Sequence, residues 1–104
     1  MNTKQKILII NDDEGLREIF QLYLELKGYD IYQGEDGYKG IEKAIQIQPD
    51  LILLDVMMPG IDGYEVCKKL KQDERTKDIP IIFLSSLLNS SDKTQGLACG
   101  GVDF

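Results

Sequence analysis

Residues 51–60, LILLDVMMPG, decide the fold of this chain. Four consecutive aliphatic residues lead into Asp55 and then into a Met-Met-Pro-Gly turn. A strand covered on both faces needs no alternation of polar and apolar residues, so this run predicts a fully buried strand. In open α/β sheets, ligands bind beyond the carboxyl ends of the strands. Asp55 is therefore predicted to face a binding crevice, held in place by the strand beneath it.

Two further aliphatic runs predict buried strands of the same kind, at 7–10 (ILII) and 81–84 (IIFL). A more polar segment at 29–34 predicts a strand at the edge of the sheet, and 102–104 (VDF) predicts the opening of a fifth strand. Helical segments separate these strands, and right-handed crossovers then place helices over both faces of a parallel sheet. The predicted fold is α/β, a three-layer doubly wound parallel sheet with the flavodoxin-like strand order 2-1-3-4-5.

Apolar side chains at helical spacing predict a first helix over residues 14–27. Its stripe consists of Leu16, Ile19, Phe20, Tyr23 and Leu24. A second helix around 41–45 is broken by Pro49, which also disfavours helix at Gln48. A third helix should bury Val66, Cys67 and Leu70.

Carboxylates follow two strands that the predicted order makes neighbours. Asp12 and Asp13 come after the first strand, and Asp55 ends the third. Alone, Asp12 or Asp13 would be interpreted as a helix N-cap. Together, and opposite Asp55, these acids would repel one another unless a cation were bound. Oxygen ligands favour Mg²⁺ or Mn²⁺.

The composition excludes several kinds of site. The chain contains no histidine, so it offers no histidine general base, no histidine-ligated zinc and no phosphohistidine. The net charge of -6 disfavours nucleic acid as a partner of this domain. No apolar run approaches the roughly 20 residues of a membrane span, and we expect a cytoplasmic protein. Cys67 and Cys99 are interpreted as small apolar residues.

The acidic positions and the turn together resemble a known family. Asp12-Asp13 after the first strand, Asp55 followed by residues 56–63 (VMMPGIDG), and Ser85 after the fourth strand are similar to the receiver domain of two-component response regulators. The Asp-x-x-x-Pro-x-x-x-Gly pattern behind an aliphatic strand is the specific part of this resemblance, which spans the whole chain.

The resemblance implies that Asp55 is the nucleophile that accepts a phosphoryl group from a sensor histidine kinase or a phosphotransfer protein. Asp12, Asp13 and Asp55, with the backbone carbonyl of Met57, would hold Mg²⁺. Such a domain catalyses its own phosphorylation and dephosphorylation and is not a turnover enzyme. An output domain or partner outside this chain would respond.

The resemblance also assigns a switch. Ser85 stands where the family has a hydroxyl that moves to the phosphoryl oxygen, and Phe104 matches the aromatic residue that turns inward with it. Pro59 and Gly63 would shape the loop after the acceptor. Side chains at Met57 and Leu87 would control hydrolysis; both are apolar and cannot position water, so slow dephosphorylation is expected.

The chain departs from the family after Phe104, where a Lys-Pro pair and a last helix would follow. We therefore expect a single receiver domain over residues 1–104 that is incomplete at its C-terminus, with the fifth strand unfinished and the last helix absent. Lys93 lies too early to replace the missing lysine. The first helix would lose part of its cover, which predicts low stability or self-association through this edge.

Three other functions compete with a phosphoacceptor domain. A Mg²⁺-dependent phosphatase of the haloacid-dehalogenase type needs a second Asp two residues after the first, where this chain has Met57. A flavodoxin-like FMN carrier should offer hydroxyls and glycine in its first loop, whereas residues 11–14 (NDDE) offer negative charge. A receiver used only as an interaction module, independent of phosphorylation, is separated from the main hypothesis only by experiment.

Overall fold

Seven elements alternate along the chain in the computed structural model, which describes residues 4–84. They are β1 (Lys6–Ile10), α1 (Glu14–Leu26), β2 (Asp30–Gly34), α2 (Gly37–Ile47), β3 (Leu51–Asp55), α3 (Gly63–Gln72) and β4 (Ile81–Leu84). The strands form one parallel sheet in the order β2-β1-β3-β4. The predicted doubly wound order is confirmed as far as β4, and the predicted fifth strand lies outside the described residues.

The main core lies on the face of the sheet that α2 and α3 cover. Alternate strand residues point to this face, since side chains of a strand alternate between its two sides. They pack against Ala44 of α2 and Val66, Cys67 and Leu70 of α3. The strand residues of this cluster are Leu8, Ile10, Ile52, Leu54, Ile81 and Phe83. Burial of Cys67 among apolar neighbours agrees with its interpretation as a small apolar residue.

The prediction of full burial is confirmed for β1 and wrong for β3 and β4. All four residues of β1 from Ile7 to Ile10 are buried. In β3 and β4 burial alternates, and Leu53 and Ile82 are only half-buried. The reason is that α1 lies over β1 and β2 on the second face. Aliphatic runs therefore mark these strands but do not report how well each face is covered.

Helix α1 is also rotated relative to its predicted stripe. Leu16, Ile19 and Tyr23, three of the five stripe residues, are 43%, 64% and 58% exposed. Arg17 is buried instead, and Phe20 and Leu24 are half-buried. The inward face of α1 thus consists of residues 17, 20 and 24. Their spacing also places them on one side of a helix, as did the spacing of the predicted stripe. Among the described residues, no helix combines the length and apolar character that a membrane span requires.

An aspartate caps each helix at the edge where the strands end. The side chains of Asp13, Asp36 and Asp62 accept from the backbone N–H of the residue three positions on, at 3.1, 2.8 and 2.9 Å. These bonds satisfy amides that the first turn of a helix leaves without intrahelical partners. Each of these helices follows a strand of the parallel sheet, so all three begin at the same side of the sheet as Asp55. At the other end of α2, Gln48 adopts a left-handed conformation before Pro49, which confirms the predicted stop.

Candidate functional site

Asp55 ends β3 and is half-buried. Its carboxylate accepts hydrogen bonds from the backbone N–H groups of Val56 and Met57, so the chain turns around it directly after the strand. The turn is closed by the Gly63 N–H, which donates to the Val56 carbonyl at 2.9 Å. A Cβ on Gly63 would lie 2.3 Å from the Asp55 carbonyl oxygen. Only glycine lets α3 begin this close to the end of β3.

The environment of Asp55 shifts the pKa of its carboxyl upward. Burial raises the pKa of the Asp55 carboxyl, and the nearby Asp12 and Asp13 carboxylates raise it further. The two backbone N–H donors act in the opposite direction because they stabilise the charged form. The charges of Asp12 and Asp13 therefore act on Asp55, while the convergence of the three acids on one metal ion stays a prediction.

The loop between β1 and α1 carries the other two acids and is tightly held. Asn11 is 3% exposed, and its side-chain oxygen accepts from the Asp13 N–H at 2.9 Å. Its own N–H donates to the Gly34 carbonyl of β2 at 3.1 Å. Asp12 and Asp13 are exposed beyond this anchor. Asp13 is both a helix cap and a member of the acidic cluster, so the two interpretations weighed for it do not exclude each other.

The loop after β3 is anchored by two apolar side chains. Met58 and Ile61 are 9% and 6% exposed, whereas Met57 is 78% exposed. Ile61 packs where α2 begins, since a Cβ on Gly37 would lie 2.3 Å from its Cγ2. Pro59 is exposed. The loop is therefore fixed at Met58 and Ile61, and the Met57 side chain remains accessible beside Asp55.

Within residues 4–84, no three acidic, cysteine or histidine side chains converge closely enough to hold a metal ion by themselves. A site for a divalent cation here would thus need other oxygens to complete its shell. Magnesium ordinarily keeps several waters and takes only one or two carboxylates, and backbone carbonyls are also suitable ligands. The chemistry of the donors, hard oxygens carrying negative charge, fits Mg²⁺.

Four residues to which the sequence assigned a role or an interpretation lie outside the described part of the chain: Ser85, Leu87, Cys99 and Phe104. Two others were missed by sequence reasoning, Asn11 and Arg17. Asn directly before an Asp pair is a signal for a side-chain turn. A charged residue at position 17, on the same helix face as Phe20 and Leu24, is a signal that its guanidinium has buried partners.

Comparison with known proteins agrees with this geometry. The profile of the response regulator receiver domain matches residues 7–104. The DNA-binding dual master transcriptional regulator RpaA of Synechocystis sp. is 48% identical over 99 residues, which are 95% of this chain and 41% of RpaA. The response regulator PleD of Caulobacter vibrioides is 39% identical over 95% of this chain and 22% of its own length. This chain thus spans less than half of either regulator.

Solved structures give the same result. The chemotaxis protein CheY4 of Vibrio cholerae superposes with a TM-score of 0.93 at 28% identity, covering 97% of this chain and 84% of that one. The BeF3-activated receiver domain of Klebsiella pneumoniae RstA gives a TM-score of 0.87 at 30% identity, over 95% and 82% of the two chains. With its parallel sheet, its acids at the strand ends and its matching profile, this chain belongs to the response regulator receiver family.

Proposed function

We propose that this domain is the phosphoacceptor of a two-component system, with Asp55 taking a phosphoryl group from a phosphohistidine. The observation that carries the proposal is the environment of Asp55, a half-buried carboxylate whose pKa is raised by burial and by Asp12 and Asp13. An isolated structural carboxylate would gain nothing from two acidic neighbours. A carboxylate that receives a phosphoryl group needs a cation beside it, and acidic neighbours help to bind that cation.

Magnesium would be held by Asp12, Asp13 and Asp55 together with the Met57 carbonyl. Capping of α1 uses one oxygen of Asp13, and a carboxylate has a second oxygen for a metal. When bound, the ion would neutralise the acids and the equatorial phosphoryl oxygens. Mn²⁺ would serve in the same way.

The chain's own residues supply nucleophile and orientation. An Asp55 oxygen attacks the phosphorus in line, and the bond from phosphorus to the donor nitrogen breaks as the new bond to oxygen forms. The N–H groups of Val56 and Met57 donate to this carboxylate and stabilise its charged form. No proton has to leave Asp55 if it attacks as the carboxylate, so the absence of histidine from the chain is no obstacle.

The remaining roles follow the family. Ser85 would bond the phosphoryl oxygen and Phe104 would turn inward with it, while Pro59 and Gly63 shape the acceptor loop. Close packing of Gly63 against Asp55 supports the last assignment. The exposed, apolar Met57 supports slow hydrolysis of the acyl phosphate, because it offers no group that orients water.

The partners proposed are a sensor histidine kinase or phosphotransfer protein as donor, and an output domain or protein outside this chain. RpaA is described as DNA-binding; for this domain, with its net charge of -6, we propose no nucleic-acid contact of its own. We propose a cytoplasmic location, without membrane contact. Members of the family are signalling domains, and we propose that this one has no turnover activity on an external substrate. The main alternative remains an interaction module that is never phosphorylated.

Intact mass after incubation with Mg²⁺ and a small phospho-donor tests the proposal. Wild type should gain one phosphoryl group and Asp55→Asn should gain none. Asp62→Asn is a matched control, since it makes the same change in the same loop at an exposed helix cap. Beryllofluoride, followed by its fluorine resonance, gives a second readout that needs no transfer. No modification of wild type, and no beryllofluoride signal, would favour the interaction module.

A further inference from the structure

Arg17 is the buried charge that the proposed chemistry leaves unexplained. It is 8% exposed, and among the ion pairs of residues 4–84 none involves its guanidinium. Glu35 acts on the guanidinium electrostatically but forms no direct ion pair with it. A buried cation without a direct ion pair is costly, so it is retained only where its hydrogen bonds are valuable. An apolar residue would cover the sheet at lower cost.

The hydrogen bonds of Arg17 lead to the acidic loop. Its Nη1 donates to the Asn11 carbonyl at 2.6 Å, a charge-assisted bond to the residue directly before Asp12. Its Nε donates to Oε1 of Gln33 on β2 at 2.9 Å. Gln33 in turn donates from Nε2 to Oε1 of Gln21, one turn further along α1. Contacts with β2 and α1 thus orient the guanidinium while it donates a hydrogen bond to the backbone of the loop.

Asn11 connects Arg17 to the acidic residues of the loop through its hydrogen bonds. Its carbonyl is held by Arg17, its N–H by Gly34, and its side chain holds the Asp13 N–H. Asp13 is fixed further by capping Leu16. These hydrogen bonds hold Asn11 and Asp13, on either side of Asp12, and so limit the movement of the loop under the mutual repulsion of its acids and Asp55.

We propose that Arg17 is a positioning residue that holds the loop 11–13 in the geometry that binds Mg²⁺ beside Asp55. The inference rests on the proposed function, and it assigns to a residue outside the acidic cluster a share of the metal affinity. Groups that orient metal ligands from behind change affinity about 10–100-fold when removed.

The test is Mg²⁺ titration of Arg17→Met, which keeps the apolar stem and removes the guanidinium. Affinity should fall about tenfold, at a temperature where the variant is fully folded. Arg75→Met is the matched control, because it makes the same change in side chain and charge at an exposed ion pair with Asp73. Arg17→Lys, which keeps one charged donor, should bind with intermediate affinity. A role in stability alone would lower the melting temperature and leave the affinity equal to that of the control, which would overturn the inference.

Amide hydrogen exchange in the metal-free protein separates the two proposals. The Asp13 N–H should exchange at least about tenfold faster in Arg17→Met, while the capped Glu65 N–H of α3 should not change. If wild type bound no Mg²⁺, the proposed function would be wrong. Unchanged exchange of the Asp13 N–H in Arg17→Met would overturn the role of Arg17 in holding the loop.

If Arg17→Met does not fold, the Gln33→Ala variant provides the test. It leaves the guanidinium without its Nε partner, so weaker Mg²⁺ binding supports the inference and unaltered binding overturns it.

Discussion

Asp13 shows how one side chain caps a helix and also acts electrostatically on a neighbouring acid. One of its oxygens caps α1, and its charge contributes to the environment of Asp55. The sequence predicted both roles at this position but as alternatives. A pattern of residue types does not show that one carboxylate oxygen can cap a helix while the other remains available. The position of Asp55 was predictable from the aliphatic run before it. The anchoring of the loop by Asn11 and Arg17 was not, because it depends on contacts with β2 that are distant in sequence.

The two roles of Asp13 can be separated by substitution. Asp13→Asn keeps a good capping oxygen, so its stability should stay near that of wild type, whereas Asp13→Ala should lose about 1 kcal/mol. Both should weaken Mg²⁺ binding, because both remove the charge. Urea unfolding in EDTA and Mg²⁺ titration measure the two effects. Asp62→Ala, which removes the cap of α3, should lose similar stability and keep the metal affinity. Equal stability of Asp13→Asn and Asp13→Ala would contradict the assignment.

Asp55→Asn should stabilise the metal-free domain, and more so at higher pH. The folded-state pKa of Asp55 is raised, so its stabilising contribution is complete below the unfolded pKa and is lost as pH rises through the folded pKa. The variant stays neutral and escapes this loss. Melting temperatures in EDTA between about pH 3 and pH 7 should therefore diverge in favour of the variant. With excess Mg²⁺ the order should reverse, because wild type alone keeps the ligand. A constant difference across this range would show that the Asp55 environment does not act through its charge.

At the scale of elements, the order of strands and helices followed from the sequence, but the full length of α2 (Gly37–Ile47) and the burial of the faces did not. Aliphatic runs marked β1, β3 and β4 correctly, and Pro49 marked the end of α2. Leu53 and Leu16 are less buried than their patterns suggested, because burial depends on which neighbour lies over each face. Arg17 rather than Leu16 faces the sheet, because the hydrogen bonds of the side chains, as well as their hydropathy, determine which side of a helix is buried.

The junction of β3 and α3 should not tolerate a side chain at position 63. A methyl group in Gly63→Ala would lie 2.3 Å from the Asp55 carbonyl oxygen and 2.8 Å from the Val56 Cα, both backbone atoms that cannot rotate away. We expect a loss of about 2–3 kcal/mol in the free energy of unfolding, and slower phosphorylation because the end of β3 shifts. Gly15→Ala, also in the first turn of a helix, meets only the Asp13 side chain at 3.3 Å and should change stability by less than about 1 kcal/mol. Equal effects of the two substitutions would contradict this packing argument.

For the whole molecule, the described surface includes an unusual number of large apolar side chains on one helix. On α1 they are Leu16, Ile19, Leu22, Tyr23 and Leu26, with exposures between 43% and 79%. On this ground we keep the prediction of self-association. The mean mass in sedimentation should rise with protein concentration and return to that of a monomer in Ile19→Glu. Tyr38→Glu, which changes an exposed aromatic residue of α2, should behave like wild type. A monomer at every concentration would contradict the prediction.

The aspartates that cap the three helices of residues 4–84 also affect the charge that a phosphoryl group would meet at Asp55. The start of a helix normally attracts anions through its free amides and its partial positive charge. Here Asp13, Asp36 and Asp62 already occupy those positions. Among residues 4–84, the helix starts beside Asp55 are therefore already occupied by carboxylates, and the divalent cation of the proposed function would supply counter-charge there. Under the proposed function, phosphorylation of the domain would depend on the free divalent cation as well as on its phospho-donor.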